Sequence, residues 1–163
     1  MNKKVLLIVM IFAIIALFAQ FGISYSNQDF DGHFTMNVPL GKHYSDVAYC
    51  WANGRLGCKC EYWEDNAGCD IEDGDIVIYY YNSSISSDGE SNALQHALNG
   101  LTTTYLYNLV QNDDLIVLTN DIDMRGMPPF LAGKSTPNGD EVVFVGGRDL
   151  DYVKQYASTI KFK

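Results

Sequence analysis

An unbroken apolar run from Val5 to Ala19, continuing to Ile23 with only Gln20 and Gly22 interrupting, gives way after Ser26 to short alternating and clustered segments. His33 to Val38 alternates, with Phe34, Met36 and Val38 on one side and Thr35 and Asn37 on the other, before Pro39 and Gly41 turn the chain. That period of two predicts a half-buried strand. Residues 46 to 63 read as a hairpin around Asn53-Gly54, and the continuous apolar stretch Ile76 to Tyr81 as a central strand covered on both faces. Tyr79 and Tyr81 then share one face and Tyr80 takes the other, the rings forming core beneath a helix or, as the alternative, a sugar- or peptide-binding face.

A period near 3.6 follows. Ser87 and Glu90 have capping-box spacing, and Leu94, Leu98, Leu101, Tyr105 and Leu109 line one face of a mid-chain helix. Gly100 and three threonines weaken its middle, which predicts a kink or a broken second half. Leu115 to Thr119 is a short strand, and Phe130 to Lys134 and Glu141 to Gly146 pair across Pro137-Asn138-Gly139. Asp149 caps a closing helix with an apolar stripe of Leu150, Val153, Tyr156, Ala157 and Ile160. Hairpins predominate and strict βαβ alternation is absent. The expected fold is α+β: a mainly antiparallel sheet with the mid-chain and C-terminal helices packed on it.

The leader changes the picture from fold to compartment. Lys3 and Lys4 precede the apolar run, and such a basic start is retained inside while the rest of the chain passes out. Residues 1–26 are therefore a signal peptide or an N-terminal membrane anchor through residues 5–23, and residues 27–163 one extracytoplasmic domain. Ser24 and Ser26 suit cleavage before Asn27, whereas the run is long enough to span a bilayer of about 30 Å. Both outcomes stay open: a domain held at the cell membrane, or one secreted after cleavage.

Charge excludes one class of partner. All 20 acidic residues follow Ser26 against nine basic ones, a formal charge of −11 for the exported part. Nothing in it forms a basic stripe able to neutralise a phosphate backbone, so nucleic acid is no partner.

The opening Phe34-Thr35-Met36-Asn37-Val38-Pro39-Leu40-Gly41, the mid-chain helix and the ending Val142-Val143-Phe144-Val145-Gly146-Gly147 resemble uncharacterised small exported proteins of methane-producing archaea. Their order of elements is similar to the Mog1/PsbP-like α/β/α sandwich. That resemblance implies a non-catalytic binding or accessory role.

Cys50, Cys58, Cys60 and Cys69 are the chain's four cysteines, all within 20 residues. An even number in an exported domain favours disulfides, and C-x7-C-x-C-x8-C lacks the C-x2-C knuckles of structural zinc. Two pairings stay open: Cys50 with Cys58 and Cys60 with Cys69, or Cys69 with Cys50. Asn27-x-Asp29-x-Asp31-Gly32 begins like a calcium loop but has Val38 where a bidentate Glu is required, so it reads as an acidic linker. Asp70, Glu72, Asp73 and Asp75, like Asp121 and Asp123, read as solvated loops. His33, His43 and His96 read as ordinary surface histidines, and no G-x-S-x-G, H-E-x-x-H or P-loop occurs. No catalytic residue, metal ligand or cofactor is assigned. Asn82-Ser83-Ser84 is the one N-glycosylation sequon and is expected at an exposed loop. The expected function is a non-catalytic cell-envelope domain contacting envelope proteins or glycans. The alternative is a secreted enzyme with a Cys-His or metal-assisted site near Cys50–Cys69.

Overall fold

Phe34, Met36 and Val38 are buried while Thr35 and Asn37 between them are only partly covered, so the alternation read from the sequence is the alternation of β2 (Phe34–Pro39). The computed structural model describes residues 25–39, 59–61, 74–83, 92–122 and 127–163. β2 pairs antiparallel with β1 (Tyr25–Phe30), and β9 (Lys161–Phe162) pairs on its other side. The acidic stretch from Asn27 to Asp31 is thus a strand and turn, not a linker. It escapes periodicity because β1 buries only Phe30 and is held by main-chain pairing. Asp31 and Gly32 turn the chain with positive φ (50° and 80°), and Asp29 Oδ1 accepts the Gly32 N–H at 2.9 Å. Asp29 also binds Lys163; this pairing, with the Gly32 bond second, holds its carboxyl below the usual range. Tyr25 and Ser26, opposite Pro39 and Val38, place the start of β1 two residues before the expected leader boundary.

Among the described residues the larger sheet has six strands, all antiparallel, in the order β3 (Lys59–Glu61), β4 (Val77–Asn82), β8 (Glu141–Gly147), β7 (Phe130–Ser135), β6 (Ile116–Thr119), β5 (Asn108–Asn112). Every residue of β4 is buried, as its continuous apolar run predicts. Val77, Tyr79 and Tyr81 face α1 (Ala93–Asn99), which inserts Ala93 and Ala97. Ile78 and Tyr80 face the other core, shared with β2 and with Val153, Tyr156 and Ala157 of α2 (Leu150–Ala157). Both faces of the sheet are covered. The molecule is α+β with mainly antiparallel sheet.

The first helix departs from expectation at both ends. Asn92 is its N-cap, accepting the Gln95 N–H at 2.8 Å; the Ser87–Glu90 capping box lies outside the described residues. Its fixed start follows from the β7–β8 turn: Gly139 C=O accepts the Leu94 N–H at 3.0 Å, and the Asn92 amide donates to Asn138 C=O at 3.1 Å. At the far end Gly100–Thr104 forms a π turn, where Thr102 and Thr103 hydroxyls donate back to the Leu98 and Asn99 carbonyls. The second half is therefore broken, and Leu109, expected on the helix, lies on β5 instead. α2 is as predicted, with Asp149 accepting the Tyr152 N–H at 2.8 Å. Of the hairpin expected at 46 to 63, only 59–61 are described, and they form β3.

Candidate functional site

Two features of the described surface carry chemistry beyond core packing. One is polar. β4 sends Tyr80 and Asn82 to the same face, and the Glu141 of β8 sits opposite Asn82. Tyr80 donates its phenolic hydrogen to Glu141 Oε1, while the Asn82 amide donates to Tyr80 Oη at 2.7 Å and to Glu141 Oε1 at 2.9 Å. From the β1–β2 turn His33 brings Nδ1 to 3.2 Å of the same oxygen, its ring centroid 5.2 Å from that of Tyr80. The Tyr80 hydroxyl is pushed up well above its usual value, first by burial and then by the bond to Glu141. A phenol that keeps its proton is a donor, not a base or nucleophile. Its neighbours bond to one carboxylate oxygen, and through His33 the cluster fastens the small sheet to the large one.

The other feature is apolar. Large exposed hydrophobic residues number five among the described positions, and four gather at the β5 end of the sheet: Leu106, Leu109, Val110 and Ile122, 44 to 57% exposed. Among the described residues β5 is an edge strand, paired only with β6. A bulge between Leu109 and Gln111 leaves Val110 without a partner on β6. Leu106, two residues before β5, has φ of 59°, a left-handed backbone that a leucine adopts at a cost. Buried Asn120 ties the neighbouring segment to it: its amide donates to Tyr105 C=O and its Oδ1 accepts the Ile122 N–H, both at 2.8 Å. Thus Leu106 and Ile122 stand at the same end of the β5–β6 ladder. Tyr107 between Leu106 and β5 is buried, donating to Pro128 C=O, and its hydroxyl is raised by burial.

Cys60 lies on β3 opposite Tyr79; Cys50, Cys58, Cys69 and His43 lie outside the described residues. Asn82 is at 6% exposure with its amide bonded inward, not at the exposed loop the sequon suggests. Asp75 is likewise buried, not in a solvated loop. Among the described residues no group of three or more His, Cys, Asp or Glu is placed to hold a metal, and no helix is long and apolar enough to cross a membrane. Sequence reasoning missed the β5 patch because Leu109 fitted the helical stripe; the signal available was the break after Gly100. Compared with known protein families, curated proteins and solved structures, the chain matches none.

Proposed function

We propose that this is a non-catalytic domain exposed outside the membrane, a binding or accessory module that contacts other envelope components through the β5 end of its sheet. The observation that carries the reading is the gathering of Leu106, Leu109, Val110 and Ile122 in solvent on and beside the β5 strand, with Leu106 held in a left-handed backbone. Leaving such side chains about half in water forfeits burial worth roughly 1 kcal/mol each, and edge strands ordinarily carry charge to deter contact. A surface that keeps this liability uses it. The basic-then-apolar leader supports the compartment, and helices on both faces of an antiparallel sheet support a Mog1/PsbP-like sandwich.

A photo-crosslinking residue at Val110 of the full chain in its own wall-stripped cells tests this, with Gln155 on α2 as exposed control. A discrete adduct from position 110 alone, digested by protease added outside, is the expected result. Equal adducts from both positions, none from position 110, or one that protease reaches only after lysis would overturn the reading.

A further inference from the structure

Among the described residues the β5 end is bordered by acidic charge. Residues 60–124 contain 13 Asp and Glu and not one Lys or Arg. Within the hairpin, Asp113 and Asp114 are exposed at one end of β5, and Asp121 is exposed at the other, beside Ile122. β5 itself, Asn108-Leu109-Val110-Gln111-Asn112, carries no charge and no proline. An uncharged apolar edge between two acidic ends specifies what covers it.

We infer that the β5 edge receives an extended segment of another polypeptide whose central apolar side chains are flanked by Lys or Arg. This rests on the reading of the β5 end as a contact surface and adds the chemistry of its partner. Edge strands offer unpaired main-chain groups that an extended segment completes, and the exposed side chains of Leu109 and Val110 give it apolar anchors. The bulge at Val110 shortens the usable ladder, so side chains and end charges carry more of the selection than main-chain bonds. A second copy fits poorly. Antiparallel pairing of β5 with itself about Val110 sets Asp114 of each copy opposite Leu106 of the other, and so brings acidic charge at both ends toward the end that carries Asp121. An anionic bilayer meets the same repulsion.

The probes are nine-residue peptides titrated into the full chain in neutral detergent: Val-Thr-Val-Thr-Val with two Lys at each end, the same core with Glu ends, and a Ser-for-Val core with Lys ends. The Lys–Val peptide should bind at least about tenfold tighter than either of the others and weaken several-fold between low and high salt. Val110→Ser should remove about tenfold of that affinity without lowering the melting temperature. Asp114→Lys combined with Asp121→Lys should move the preference to the Glu-ended peptide, a gain that misfolding cannot imitate. Equal binding of all three peptides, or preference unmoved by the charge reversal, overturns the inference. So does a dimer in sedimentation, or binding to phosphatidylglycerol bicelles, that is lost in Val110→Ser. A position-110 adduct in cells with no Lys preference in vitro removes the partner chemistry and leaves the contact surface standing; absence of the adduct removes both.

Discussion

Tyr80 and Glu141 stand diagonally across the β4–β8 ladder, the phenol donating to a carboxylate that also takes the Asn82 amide. Removing the acceptor leaves two buried donors without it. Glu141→Leu should therefore cost about 1 to 3 kcal/mol, and Glu141→Gln, which keeps an acceptor, clearly less. In a double-mutant cycle with Tyr80→Phe, urea unfolding should give a coupling of at least about 0.5 kcal/mol. Strict additivity would show that the bond adds nothing beyond its separate side chains.

Three buried tyrosines make the same point through pH. Tyr80, Tyr107 and Tyr156 are all pushed up from a usual value of 10.0, chiefly by burial. A group raised in the folded state contributes stability that is full below its unfolded value and lost as pH rises toward its folded one. Unfolding free energy should thus be insensitive to these groups up to about pH 9, then fall above about pH 10 by about 1.4 kcal/mol per pH unit for each. Ultraviolet titration should find Tyr80, Tyr107 and Tyr156 among those of the 11 tyrosines that ionise only on unfolding. Tyr156 differs from the other two: its hydroxyl is buried with no hydrogen-bond partner, its ring edge-on to Tyr152 at 4.9 Å. Tyr156→Phe should be neutral or stabilising, and a loss above about 1 kcal/mol would mean that the hydroxyl is bonded after all.

What was legible in the sequence followed periodicity. β2, β4, the β7–β8 hairpin and α2 announce themselves because each buries one face, or both, at its own repeat. β1 and β9 do not: one buries a single residue and the other is two residues long, so only their partner fixes them. The helix break was legible in Gly100 and the threonines, yet Leu109 still fell in phase with the stripe it does not join. The polar cluster was invisible for a different reason. His33 and Glu141 are 108 positions apart, and neither has a neighbour in sequence that reveals the other.

Packing makes two substitutions unequal to their appearance. A Cβ at Gly133 would lie 2.2 Å from the Val143 carbonyl oxygen and 2.6 Å from the Phe144 ring, so Gly133→Ala forces backbone as well as side chain to move. It should cost about 1 to 3 kcal/mol. Val153→Asp, an unpaired charge at a fully buried position of α2, should cost at least as much, against less than about 0.5 for Gln155→Ala on the exposed side. Equal melting temperatures for Val153→Asp and Gln155→Ala would contradict the packing of α2.

Cys60, on β3, is the one cysteine among the described residues. If the four cysteines form two disulfides, intact mass falls by four hydrogens from the reduced value. Closing a loop of roughly ten residues is worth about 2 to 3 kcal/mol, so reduction should lower the melting temperature. Far-ultraviolet dichroism should persist, because β4 through β8 pair without that segment. Four free thiols in protein taken from the envelope would refute the staple.

Asn82 sets sequon and structure against each other. A glycan would replace one hydrogen of the amide that donates to Tyr80 Oη and Glu141 Oε1, in a residue only 6% exposed. A sugar there would have to break both bonds in a residue whose backbone is paired with Glu141 of β8. The folded protein should therefore carry no glycan at this position, and Ser84→Ala, which destroys the sequon but leaves the amide, should leave the mass of the native product changed only by the lost oxygen. Asn82→Ala should instead destabilise by about 1 to 3 kcal/mol, since the Tyr80 hydroxyl loses its donor and the Glu141 carboxylate one of its own. A glycan-sized mass loss on Ser84→Ala would show that the β4 end opens far enough to be modified.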